Sequence, residues 1–309
     1  MKTILITGAS GFIGAYLAKH FSGEFKVIGI DSKEPITKIC EQFYKMDLSN
    51  ITTIVDELNK NKIDVIIHTA AAKSLNWCEQ NKSEARKINF EITKSLYERF
   101  PKSHFIFISS DQVFPGNQQY SMETTLQNPI NFYGETKKLC EQFLLSKPNT
   151  SICRTAMVVG PLSQTHKQEF KRIRENSKIF IQSYFVQHIL FKLNKNQQIS
   201  IPIDEYCNPT STNLLYRQIR SVIINQVFGI THCCGKERIS RFEFAKKIAR
   251  FFEFSDENIQ PIIDENPLRP KDVSLDVQKT EIKLKLSFDD IQQILQCLKS
   301  EGVYSESLF

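Results

Sequence analysis

The chain has 309 residues, 41% of them apolar and 24% charged, with a formal net charge of +6. That balance excludes disordered, collagen-like and coiled-coil chains and allows one large globular domain or two smaller ones. The lysines and arginines are scattered and never gather into a basic block, which argues against nucleic acid as a partner and suits an anionic small ligand such as a nucleotide diphosphate.

Short apolar runs read as strands at Thr3–Thr7, Lys26–Asp31, Phe43–Asp47, Val65–Thr69, Phe105–Ser109 and Ser151–Thr155. Helical patterns fall between them at 12–22, 50–61, 78–99 and 130–146. This alternation predicts an α/β fold, a Rossmann doubly wound parallel sheet with helices on both faces and ligands at the carboxyl ends of its strands. After Gly160-Pro161 the pattern changes. An amphipathic stretch runs from Phe180 to Leu193, and Asn208-Pro209-Thr210-Ser211 opens a helix through Ile224. Ser240 opens another to Phe252, Pro261, Pro267 and Pro270 mark an irregular connector, and Ser287-Phe288-Asp289-Asp290 opens a last helix to about Lys299. The expected division is a dinucleotide-binding domain over 1–160, with part of 205–228 returning to it. A smaller mixed α/β substrate lobe is expected over 161–204 and 229–309.

Glycine is scarce at 11 residues, yet Gly8, Gly11, Gly14, Gly23 and Gly29 all fall in the first tenth of the chain. Thr7-Gly8-Ala9-Ser10-Gly11-Phe12-Ile13-Gly14 joins the first strand to the first helix. In such a loop Gly8 permits a tight turn, Gly11 lets the backbone approach a pyrophosphate, and Gly14 allows close helix–strand packing. The helix N-terminus beyond it favours phosphate. Asp31 ends the second strand, where a carboxylate accepts hydrogen bonds from ribose hydroxyls and repels a 2′-phosphate. NAD(H) is favoured on that ground. NADP(H) stays open because Lys33 follows two residues later.

Tyr133-Gly134-Glu135-Thr136-Lys137 places a phenol and an ammonium on one helix face. A nearby cation lowers a phenol's pKa from about 10 and fits it for acid–base work. Ser109-Ser110-Asp111-Gln112-Val113-Phe114 follows the fifth strand, where a hydroxyl can polarise a substrate carbonyl.

The ordered set of glycine loop, acid, strand-end serine and Tyr/Lys pair resembles the extended short-chain dehydrogenase/reductase family over residues 1–160. Within it the chain is most similar to the dTDP-4-dehydrorhamnose reductase group. The stretches that carry the likeness are His68-Thr69-Ala70-Ala71-Ala72, Glu84 to Asn89, Ser110 to Phe114, Asn208 to Ser211, and Arg269-Pro270 with Leu275 and Lys279. The resemblance implies Ser110, Tyr133 and Lys137 as a catalytic triad and Gly8, Gly11, Phe12, Ile13 and Gly14 around the cofactor. It also implies Asp47 and Leu48 at the adenine, Ala70 and Ala71 beside the cofactor, and Asn89 supporting the active-site helix. Activity is then expected to be NAD(P)H-dependent reduction of a nucleotide-linked 4-keto-6-deoxy sugar. A nucleotide-sugar epimerase and a non-catalytic regulatory subunit are the alternatives, and a homodimer is implied.

Residues expected at the sugar are Asp111, Gln112, Met157 and Arg269. Dehydratases of this family carry Asp-Glu where this chain has Asp111-Gln112, and an amide cannot remove a carbon-bound proton. Met157 replaces a tryptophan usual in the reductases, and Ala72 a tyrosine. Arg269 suits a substrate diphosphate, with a salt bridge between lobes as the alternative. The eight cysteines have neither CxxC nor zinc spacing, which suggests a reducing cytoplasm. No run is long enough to span a membrane, no secretory leader is recognisable, and neither the six histidines nor any other group suggests a metal. Trp77 is expected to pack rather than stack on substrate.

Overall fold

The computed structural model describes residues 1–53, 58, 61–174 and 182–304. Most of the helix expected at 50–61, beyond a 3₁₀ turn at Leu48–Thr53, lies outside the described residues, as does Phe180. Seven parallel strands form the central sheet: β1 (Thr3–Thr7), β2 (Lys26–Asp31), β3 (Gln42–Lys45), β4 (Val65–His68), β5 (His104–Ser110), β6 (Thr150–Thr155) and β7 (Gly229–His232). Their order is β7-β6-β5-β4-β1-β2-β3, with every pairing parallel. The chain turns outward in opposite directions from β1 and from β4, so the switch point, where such sheets bind ligands, lies between those two strands.

Helices α1 (Phe12–Phe21), α2 (Leu75–Gln80), α3 (Lys82–Arg86), α4 (Ile92–Arg99) and α5 (Phe132–Leu145) connect the first six strands. Then come α6 (Gln164–Ile173), α7 (Phe185–Asn194), α8 (Thr212–Ile224), α9 (Arg241–Phe251), α10 (Gln278–Leu284) and α11 (Ile291–Ser300). The sheet is buried on both faces, as parallel strands require: every residue of β1, β4 and β6 is buried, and in β5 every residue but His104. Three N-caps foreseen in the sequence are formed. Ser211 accepts from the backbone N–H of Leu214, Ser240 from that of Glu243, and Asp290 closes a capping box with Gln293.

Three differences from expectation have physical causes. The single helix expected at 78–99 is broken at Asn81 and passes through a π turn at Lys87–Glu91 before α4. That turn carries Asn89 inward, and π turns recur where a side chain must be re-aimed. Strand β7 lies within 229–309, the stretch assigned from sequence to the smaller lobe, yet it pairs with β6. The sheet therefore draws chain from both sides of residue 160. Helix α6 was not foreseen, because its sequence is polar and buries only His166 and Phe170. Cys233 and Cys234 are buried just past β7, as a strand end would be.

Candidate active site

The carboxyl ends of the strands open on a cavity of about 880 Å³, within the range typical of small-molecule sites. The residues expected at the cofactor, the reaction centre and the sugar all line it, while Lys33 and Asn89 do not. At one end are Gly8, Gly11, Phe12, Ile13, Gly14, Asp31, Asp47, Leu48, Ala70 and Ala71. Ser110, Asp111, Gln112, Tyr133 and Lys137 line the middle, and Met157 and Arg269 the far part. Trp77 is not among the lining residues.

The glycine loop has the shape of a phosphate cradle. Gly8 has φ +67°, and a side chain on Gly14 would sit 2.1 Å from the Gly8 carbonyl oxygen. Helix α1 therefore starts hard against the loop. Gly11 caps α1 without a side-chain hydrogen bond, leaving the first-turn N–H groups for an anion. The Asp31 carboxylate accepts from the Ser10 N–H at 3.0 Å, which fixes it at the loop's edge. Asp47 accepts from the Ser49 N–H at 2.8 Å, a bond that holds its carboxyl below the usual range. A glycine cradle, an uncapped helix N-terminus and a strand-end carboxylate fit the pyrophosphate and adenosine ribose of a dinucleotide.

The middle of the cavity is built from β5 and α5. Ser110 ends β5 and donates to Asp111 Oδ1 at 2.8 Å, while its Oγ accepts from the Gln112 N–H at 3.2 Å. Helix α5 starts at the Asn131 cap and brings Tyr133 and Lys137 to the same wall. Gly134 makes this possible: a side chain there would meet the Gln112 carbonyl oxygen at 2.2 Å and Pro129 Cβ at 2.7 Å. Its spare room thus serves the approach of α5 to the strand end. Asn89 Nδ2 donates to Thr136 Oγ1 at 2.9 Å and to the Ala72 carbonyl at 3.0 Å, and its Oδ1 accepts from the Ala72 N–H at 2.7 Å. It ties the β4 loop to the helix carrying Tyr133, the support that the resemblance implied.

The electrostatics differ from expectation at Tyr133. Burial, reinforced by the Asp111 carboxylate, pushes its phenol above the ordinary value, although a Ser110 hydrogen bond pulls the other way. The Lys137 ammonium lies over the Tyr133 ring, 5.7 Å from its centroid, but one of its three protons goes to the Ile108 carbonyl at 2.8 Å and the Phe107 ring centroid is nearer, at 4.5 Å. Burial pulls Lys137 down to about 8. A phenol held high stays protonated at neutral pH, the form a proton donor needs. Burial also pushes Asp111 up to about 6, against the hydrogen bonds from Ser110 and Gln112.

The Lys137 shift has a consequence for stability. Below pH 8 the folded and unfolded chains both carry the charge, and the folded one bears its full desolvation. Between about pH 8 and the unfolded value of about 10.4 the unfolded chain binds more protons, so this residue's penalty fades as pH rises. Lys137→Met is expected to raise stability at pH 7 by about 2–3 kcal/mol. Urea melts without added cofactor should show that margin shrinking from pH 8 to 10. A variant no more stable than the unaltered chain at pH 7 would contradict this.

Arg269 reaches the cavity already paired, with Nε 3.4 Å from Asp264 and Nη1 3.6 Å from Glu205. Sequence reasoning missed Glu205 and Arg241, which also line this part. Arg241 Nε is 2.5 Å from Glu205 Oε2, and burial pushes the Glu205 carboxyl up. A signal was available: Arg241 opens a helix, where the helix dipole disfavours a cation unless an acid faces it.

The parallel sheet, glycine cradle and Ser110–Tyr133–Lys137 wall define a dinucleotide-binding oxidoreductase of the extended short-chain dehydrogenase/reductase type. The family model described as RmlD substrate binding domain matches residues 1–301, and the chain belongs to that family. It is thus an NAD(P)-dependent oxidoreductase of RmlD type. A solved structure from Sulfolobus tokodaii, described as a hypothetical dTDP-4-dehydrorhamnose reductase, is 30% identical with TM-score 0.78, over 95% of this chain and 99% of that one. The dTDP-4-dehydrorhamnose reductase of Bacillus anthracis, solved in complex with NADP, is 23% identical with TM-score 0.82, over 97% of this chain and 99% of that one. Bovine methionine adenosyltransferase 2 subunit beta is 24% identical over 91% of this chain and 82% of its own length.

Proposed function

We propose that this protein reduces the ketone of a nucleotide-linked 4-keto-6-deoxy sugar. The observation that carries the reading is the convergence of Ser110, Tyr133 and Lys137 on the cavity that the glycine cradle opens into, with an amide at Gln112. The cradle, Asp31, Asp47 and the Ala70-Ala71 wall would hold the dinucleotide, which supplies the hydride. Ser110 orients the substrate carbonyl, Tyr133 delivers the proton to its oxygen, and Lys137 holds the nicotinamide ribose. Gln112 has no carboxylate to remove a carbon-bound proton, which disfavours dehydration. Asp111, Gln112, Met157 and Arg269 would line the sugar and diphosphate. Arg269 is held by Asp264 through Nε and by Glu205 through Nη1, so a phosphate would take its remaining N–H donors.

The Asp31 carboxylate favours NADH, since it accepts ribose hydroxyls and repels a 2′-phosphate. We take the protein to act as a homodimer in the cytoplasm. The test is dinucleotide oxidation with a panel of nucleotide-linked keto sugars, using NADH and NADPH in parallel. Oxidation with NADH at the higher kcat/KM is expected, and Asp31→Ala should move the ratio toward NADPH. Interconversion of two nucleotide sugars without net oxidation would replace the reading with an epimerase. Inertness toward the whole panel, with stable binding to a methionine adenosyltransferase catalytic chain, would replace it with a regulatory subunit.

A further inference from the structure

Asn131 is 2% exposed and makes three hydrogen bonds that no local motif demands together. Its Oδ1 accepts from the Gly134 N–H at 2.8 Å, capping α5. Its Nδ2 donates to the Leu268 carbonyl at 3.0 Å and to Gln112 Oε1 at 3.1 Å. Because Leu268 offers only a carbonyl and Gly134 only an N–H, the Asn131 amide has one orientation. Gln112 must then turn its oxygen toward Asn131. Its NH₂ group then donates one proton to Asp111 Oδ1 at 3.3 Å and keeps a second, and Gln112 and Asp111 both line the cavity.

Leu268 sits in a turn closed on itself. The Leu268 N–H donates to Asn266 Oδ1 at 3.0 Å and the Arg269 N–H to the Asn266 carbonyl at 3.1 Å. Asn266 and Arg269 both line the cavity. One buried amide therefore joins the start of the helix bearing Tyr133, the side chain beside Asp111, and the turn that carries Arg269.

We propose that Asn131 is a positioning residue for substrate specificity. It locks Gln112 as a hydrogen-bond donor toward an oxygen of the substrate, and it sets the distance between the Arg269 turn and Tyr133. A donor at this point selects substrates with an acceptor oxygen there, a ketone or ring oxygen. The proposal rests on the nucleotide-sugar reading for the nature of the substrate, but not for the coupling itself.

The test is Asn131→Ser, because serine caps a helix about as well as asparagine and is too short to reach Gln112 or Leu268. Two measurements are made with dinucleotide present. In the first, the sugar-substrate KM should rise about tenfold, with kcat and the dinucleotide KM unchanged. In the second, hydrogen exchange should accelerate about tenfold across 264–273 and stay unchanged across 132–145. Gln112→Met keeps the Leu268 bond, so it should raise the sugar KM without loosening 264–273. An unchanged KM, unchanged exchange at 264–273, or equal loosening of both segments would each overturn the proposal. Absence of turnover in the unaltered protein would reject the sugar reading, and the exchange result would then decide the coupling.

Discussion

Tyr133→Phe is expected to lower turnover by about 10²–10⁴-fold, the range that a positioned general acid supplies, while dinucleotide affinity stays unchanged. The substitution removes one oxygen and keeps the ring packed at the start of α5. It also leaves the Ser110–Asp111 hydrogen bond and the Lys137–Ile108 contact in place. The carbonyl can still be oriented and the dinucleotide still held, but no donor remains for the alkoxide that hydride addition creates. The phenol stands above its ordinary value, so its loss should be felt equally at pH 6 and pH 8. Steady-state oxidation of dinucleotide and a binding titration read the two halves separately. Near-normal turnover in the phenylalanine variant would sink the assignment of Tyr133 as proton donor.

The parts of this site that were legible in the sequence are those whose chemistry is local in the chain. Gly8 to Gly14 lie on one strand–turn–helix, Asp31 ends the neighbouring strand, and Tyr133 and Lys137 are a helical turn apart. Caps at Ser211, Ser240 and Asp290 could be read because their partners are three residues away. Strand β3 was displaced, observed at Gln42–Lys45 against Phe43–Asp47. An edge strand with no buried residue leaves only a faint pattern. Strand β7 was misplaced for another reason: a four-residue strand that begins on a glycine with φ +80° carries no mark of which sheet it joins.

What was not legible depends on residues far apart in the chain. Glu205 and Arg241 are separated by more than thirty positions, and nothing in either segment marks it as cavity wall. Asn131 looks like an ordinary helix cap until Leu268 is placed beside it. The direction of the Tyr133 shift escaped for a related reason. Spacing along a helix puts a cation near the phenol, but it does not report that the ammonium is turned toward Ile108 or that Asp111 is buried alongside.

The largest stability effect is expected behind the cavity, at a pair whose members lie on different elements and share no sequence motif. Arg154 on β6 and Glu141 on α5 are 1% and 0% exposed. Arg154 donates to Glu141 from Nε at 3.1 Å and from Nη2 at 2.8 Å. Its Nη1 reaches the Glu123 carbonyl at 3.2 Å, and its guanidinium lies 5.0 Å from the Phe114 ring centroid. Glu141 also accepts from Ser109 Oγ at 2.5 Å and from Gln127. Arg154→Met strands a buried carboxylate and should cost about 3–5 kcal/mol in a denaturant melt. The double variant Arg154→Met/Glu141→Met removes both charges and should recover most of that loss, because paired buried charges bear a desolvation penalty that apolar side chains of similar size avoid. The recovered protein should not recover its activity. Glu141 is one turn beyond Lys137 on α5 and holds Ser109, the neighbour of Ser110, so this pair sets the spacing between the strand-end hydroxyl and the helix that carries Tyr133. A double variant with restored stability and full turnover would confine the pair to folding. Restored stability with turnover still depressed would place the pair in the support of the site, and a loss below about 1 kcal/mol for Arg154→Met alone would mean that water already reaches Glu141.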